Sequence, residues 1–135
     1  MADLSKEDEV EKIWDRSELT FGPVQVVVVN HGIWPKQDVP LADMTLERWN
    51  GTMQANLTSS FIVCREYLKG LRRVGDDLKE KAAIILVGST AGKYGEANHA
   101  DYATSKSGSY DMTYNWIFTN NYTSDDVWTY FNSQK

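Results

Sequence analysis

Apolar positions along the chain change their period several times. Between residues 5 and 20, Val10, Ile13 and Trp14, with Leu19 as a looser member, fall on one side of a helical spiral. Acidic residues fill the turn after Ser5, so the segment predicts a helix N-capped by Ser5 and ended by Gly22 and Pro23. The run VQVVVV (24–29) is β-branched and nearly continuous, which predicts a strand buried on both faces. A loop punctuated by Gly32, Pro35 and Pro40 leads to Thr45, the predicted cap of a second helix. In that helix Trp49, Met53, Asn56 and Leu57 recur at helical spacing, and the pattern runs to about Leu71. Residues 72–81 are charged and predict a surface connection. AAIILV (82–87) predicts a second buried strand, GSTAGKYGEANHAD (88–101) a glycine-rich loop, and a helix carries Tyr102 to Lys106. From Tyr110 to Phe118, Met112, Tyr114 and Trp116 alternate with polar residues, a strand period rather than a helical one.

Helix, strand, helix, strand, helix is the order of a parallel sheet with crossover helices, an α/β fold. Ligands of such sheets bind beyond the carboxyl ends of the strands. Asn30 and Gly32 leave the first strand there, and Ser89 leaves the second at the same end. A sheet of two strands has two open edges and falls below the three usually needed for independent stability, so the chain alone is expected to be marginal and prone to associate.

Composition narrows the function classes. The 135 residues suffice for one core, and the net charge of -5, with no basic cluster beyond Lys69, Arg72 and Arg73, argues against a nucleic-acid surface. His31 and His99 lie far apart without companion ligands, so no metal site is expected. The one cysteine, Cys64, sits in an apolar helical stretch and reads as a core thiol. No apolar run is long enough for a membrane helix and the acidic N-terminus is not a signal peptide, so the expected compartment is the cytoplasm.

The chemistry concentrates in YATSK. Tyr102 and Lys106 stand four apart and share a helix face, and Ser89 lies upstream in ILVGSTAG. A free phenol has a pKa of about 10, and a nearby cation favours its ionised form. Phenol, ammonium and hydroxyl together suit proton transfer to or from a carbonyl or alcohol oxygen. Each has a plainer reading: Tyr102 as a core aromatic, Ser89 as the first residue of a turn, Asn56 as a polar break in a helix. A hydrolase built on Ser89 lacks a suitably placed histidine and the G-x-S-x-G turn. Trp34 and Tyr94 are candidates for a substrate pocket or for ordinary loop aromatics.

The ordered set resembles the classical short-chain dehydrogenase/reductase family over residues 2–108. DLS at Asp3 and Leu4 resembles the segment that meets the adenine ring. VVNHG (28–32) resembles the N-N-A-G turn, with Val29 and His31 as departures. QANLTSSF (54–61) resembles the segment carrying the catalytic asparagine, here Asn56, and Ser89, Tyr102 and Lys106 match the catalytic serine, tyrosine and lysine. The resemblance implies a partial Rossmann-type, doubly wound sheet and an NAD- or NADP-dependent oxidoreductase acting on a small-molecule carbonyl or secondary alcohol. Tyr102 would move the proton, and Lys106 would lower its pKa and hold the nicotinamide ribose. Ser89 would orient the carbonyl, and Asn56 would anchor a water linking Lys106 to solvent. Asp3, Leu4, Asn30, His31 and Gly32 would line the cofactor, with Tyr102 and Lys106.

The departures set further expectations. No G-x-x-x-G-x-G phosphate loop occurs in the 135 residues, and the family's first strands have no counterpart before Asp3, so the resemblance is to a fragment truncated at both ends. Residues 1–108 form the expected partial core, and 109–135 a divergent tail. Homo-oligomers through the helix around residues 45–71 are what the family implies. The alternative to an oxidoreductase is a non-catalytic remnant that pairs its open strand edge with a protein partner.

Overall fold

The computed structural model describes residues 2–74, 82–119 and 127–130. The first helix, α1 (Glu7–Phe21), starts one residue later than a Ser5 cap would place it. Lys6 occupies the N-cap without a side-chain hydrogen bond. Ser5 is held elsewhere: its amide and hydroxyl both donate to Asp3 Oδ1, at 3.0 and 2.7 Å. That local turn outcompetes capping. Val10 and Trp14 are buried as the period requires, whereas Leu19 is 88% exposed. The helix ends at Gly22, whose φ of 81° few side chains tolerate.

Strand β1 (Val26–Val29) pairs in parallel with β2 (Ala83–Val87), Val27 opposite Ile84 and Val29 opposite Leu86. Val29, Ile84 and Leu86 face one core with Val10 and Trp14 of α1 and with Ile62, Val63, Tyr67 and Leu71. The other face of β1 is open. Val26 and Val28 are 49% and 56% exposed, so the strand is buried on one face, not two. The continuous apolar run marked a strand made to be covered twice, and among the described residues helices supply cover once.

The crossover from β1 to β2 is one long rod. Thr45 caps α2 (Leu46–Met53) by accepting the Arg48 amide; a π turn (Gln54–Thr58) follows, and α3 (Ser59–Val74) continues it. Of the charged stretch 72–81, Arg72 and Arg73 close α3, and 75–81 lie outside the described residues. The glycine-rich stretch after β2 contains a single helical turn, α4 (Thr90–Tyr94), capped by Ser89.

Two expectations fail after Lys106. Helix α5 runs from Ala100 to Thr119, so the alternating residues 110–118 are helical. Packing overrides the pattern. Ser105 and Ser109 are buried, and a Cβ on Gly108 would stand 2.9 Å from Leu57 Cδ2, so small residues let α5 settle against the π turn. Met112 then reaches the core. The sheet also has three strands, in the order β1-β2-β3, because β3 (Val127–Tyr130) pairs in parallel with the free edge of β2. The remaining tail, 120–126 and 131–135, lies outside the described residues.

Candidate active site

The end of β1 and the start of α5 meet at Gly32. A Cβ built there would lie 3.1 Å from Asn56 Oδ1 and 3.4 Å from Lys106 Nζ. The loop after β1, the π turn and α5 therefore converge on one point at the carboxyl end of the sheet, and glycine leaves the room. Asn56, 2% exposed, is the clasp. Its Oδ1 accepts the Ile33 amide at 2.7 Å, and its Nδ2 donates to the Ile33 carbonyl at 3.1 Å and to Ser105 Oγ at 3.0 Å. The π turn widens the rod where this side chain must point inward, a common use of such turns at functional sites.

Lys106 lies one turn beyond Tyr102 with its ammonium 6.0 Å from the phenol ring centroid, and it donates to the Val87 carbonyl at 3.4 Å. Burial lowers its pKa, because the charged form gives up water. Tyr102 is flanked by Trp34, edge-on at 4.6 Å. Trp34 stacks in turn on His99 at 4.1 Å, and it remains 48% exposed beside the phenol. Ser89 caps α4 through its hydroxyl oxygen, which accepts the Ala91 amide at 3.2 Å. Its height over α5 is set by backbone contact, since a Cβ on Gly92 would stand 2.8 Å from the Lys106 carbonyl carbon. Among the described residues no hydrogen bond joins Ser89 to Tyr102.

A groove of about 410 Å³ runs from Asp3, Leu4 and Ser5 past Gln54 and Ala55 to His31, Gly32 and Ile33. His31 Nε2 lies 2.6 Å from Ser59 Oγ, and that hydroxyl donates to the Ala55 carbonyl at 2.6 Å, so the imidazole must be the donor. Burial, and then the charge of Lys106, lower the His31 pKa. Asn30 is exposed at the end of β1 and does not line this groove; nor does Ser89. A second, apolar cavity of about 160 Å³ between α3, β2 and Met112 contains none of these residues.

A model of the short chain dehydrogenase family matches residues 1–124. The chain belongs to the short-chain dehydrogenase family. Its relatives include the 3-oxoacyl-[acyl-carrier-protein] reductase MabA of Mycobacterium avium, 35% identical over 106 residues that make 78% of this chain and 39% of MabA. The 3-oxoacyl-[acyl-carrier-protein] reductase FabG of Vibrio cholerae is 39% identical over 88 residues, 65% of this chain and 33% of FabG. The fold is similar to the short-chain dehydrogenase/reductase (glucose/ribitol dehydrogenase) of Brucella melitensis, with a TM-score of 0.76 and 27% identity over 93% of this chain and 48% of that one. The chain thus spans about two fifths of the length of the MabA relative. The Rossmann-type reading of the sheet holds through that likeness.

Sequence reasoning missed three supports of this candidate site. Arg48 Nε and Thr52 Oγ1 both donate to Asp101 Oδ2, at 3.1 and 2.7 Å, tying α2 to the residue before Tyr102. His99, 3% exposed, places Nε2 2.9 Å from the Pro35 carbonyl and so joins the loop after β1 to the start of α5. Tyr110 touches the main chain of Ser89. The one available signal was Arg48 and Thr52 at an i, i+4 spacing on α2; nothing marked their distant partner.

Proposed function

We propose that this chain carries the proton-transfer and nicotinamide-facing part of an NAD(P)-dependent short-chain oxidoreductase acting on a carbonyl or secondary alcohol. The convergence of Asn56, Lys106 and Gly32 within one turn of Tyr102 carries this reading. Tyr102 gives its proton to a carbonyl oxygen in the reducing direction and takes it back in the oxidising one. Lys106 stabilises charge on that phenol and, with its remaining donors, holds a ribose. The Ser89 hydroxyl, already accepting from Ala91, offers a hydrogen bond to the substrate oxygen and keeps its proton. Asn56 fixes Ser105 and the Ile33 main chain, keeping the helix and the loop wall in register.

The donor set fits part of a dinucleotide. Asp3 and Leu4 at one end of the groove suit an adenosine, and Gly32 beside Lys106 leaves the space that a Cβ would fill for a nicotinamide ribose. A glycine-rich turn for the pyrophosphate is not among the 135 residues. When bound, the nicotinamide supplies or accepts the hydride. The names of the relatives suggest the substrates to try first: a 3-oxoacyl thioester, and a cyclic secondary alcohol such as that of the cis-4-hydroxycyclohexanecarboxylate dehydrogenase of Sinomonas cyclohexanicum, 29% identical to this chain. No helix among the described residues is long and apolar enough to cross a membrane, and cytoplasmic action is part of the proposal.

The test is oxidation of NADH or NADPH by the purified chain with a 3-oxoacyl thioester, compared with Tyr102→Phe. Turnover lost in a variant that folds as the parent does supports the reading. Equal turnover in both overturns it. The place of β1 at the end of the order β1-β2-β3 among the described residues favours one second reading, a non-catalytic module whose open strand edge pairs with a strand of another polypeptide. A folded chain inert with every cofactor and substrate pair turns the choice that way.

A further inference from the structure

Tyr110 continues the line of Tyr102 and Lys106 along α5 at the same four-residue spacing. Its phenol oxygen crosses to the end of β2, donating to the Ser89 carbonyl at 3.2 Å and accepting the Ser89 amide at 3.3 Å. One side-chain hydroxyl thus holds both main-chain polar groups of a single residue. Gly88 makes room, since a Cβ there would collide with the phenol, its Cζ at 3.0 Å and Cε1 at 3.2 Å. The local alternatives are weak. Helix α4 has five residues and ends at Gly95, and a helix that short does not hold its shape on its own.

We propose that Tyr110 is a positioning residue that ties the main chain of Ser89 to α5, fixing the Ser89 hydroxyl relative to Tyr102 and Lys106 on the same helix. The consequence for turnover rests on the function proposed above; the contact itself does not.

The experiment is Tyr110→Phe in the full chain, with two readouts. Amide hydrogen exchange at Ser89 is expected to quicken about 2- to 10-fold, the range set by one lost hydrogen bond, while Ile85 in mid-strand is unchanged. Turnover is expected to fall by a similar factor through kcat, with the cofactor KM unchanged, and to fall no further when Tyr110→Phe is added to Ser89→Ala. A second variant, Gly88→Ala, attacks the same contact from the strand side and should quicken Ser89 exchange likewise. Unchanged Ser89 exchange in Tyr110→Phe overturns the tie. Equal kcat losses with and without the Ser89 hydroxyl overturn its route through that group. A wild-type chain without turnover refutes the proposed function, and the Ser89 exchange then decides the tie alone.

Discussion

Asn56 Nδ2 donates to Ser105 Oγ at 3.0 Å, so the π turn grips α5 at the residue just before Lys106. The same side chain holds both main-chain groups of Ile33. Replacing it removes one partner each from the part-buried Ile33 amide and carbonyl and from the buried Ser105 hydroxyl. With each such loss worth about 1–3 kcal/mol, Asn56→Ala is expected to lower the unfolding free energy by about 3 kcal/mol. Urea denaturation reads this directly, and a loss under about 0.5 kcal/mol would show that water or repacking replaces the clasp.

Asp101 supplies the clearest pH dependence. It is fully buried; burial alone would raise its pKa, but the hydrogen bonds from Arg48 and Thr52 outweigh that and hold it below 3.8. A carboxyl depressed in the folded state contributes stability that is present above its unfolded value and is lost as pH falls through the folded one. Asp101→Asn leaves Arg48 without its counter-charge and is expected to cost about 3–5 kcal/mol at pH 7. The gap between variant and parent should narrow below pH 4, as the parent's carboxyl is protonated. Denaturant midpoints at pH 7 and pH 3 test both halves, and a gap equal at the two values contradicts the assignment.

Lys106 runs the opposite way. Burial depresses its pKa from 10.5, so as pH rises the folded chain releases this proton before the unfolded one does, and stability grows over that interval. Lys106→Met should lack the gain, be no less stable than the parent at pH 7, and have lost turnover. Comparing unfolding free energies from pH 7 to pH 10 isolates the effect. A variant markedly less stable at pH 7 would mean that the ammonium serves the fold.

Cys64 is 7% exposed, and burial pushes its thiol up to about 12. Thiolate is the reactive form, so the native chain should resist a disulfide reagent at pH 8 and react with one equivalent once unfolded in guanidinium. Prompt labelling without denaturant would place Cys64 outside the core.

Much of this architecture was readable because it is local. VQVVVV and AAIILV announce strands by composition, and Tyr102 and Lys106 announce a shared face by spacing. The Asn56 segment could be placed but not understood, since nothing in QANLT signals that the helix widens there. Ser5 misled because Asp3 takes both its amide and its hydroxyl, a local turn that competes with capping. Residues 110–118 misled because period was read without packing; the small residues Ser105, Gly108 and Ser109, which seat α5, lie just upstream of the misleading window. Arg48 with Asp101 and Tyr110 with Ser89 pair across 53 and 21 residues, and no period encodes such distances.

The wide turn at Gln54–Thr58 also sets a phase. A π turn takes up one residue more than an α turn, and one residue is about 100° of rotation. The rod therefore addresses two neighbours with two differently aimed faces: Thr52 reaches Asp101 on α5, while Ile62 and Tyr67 enter the core beneath the sheet. Deleting a single residue between 54 and 58 would restore an unbroken α-helix and leave one of those faces pointing the wrong way. The segment behaves as a gear offset, and its length is as constrained as its asparagine.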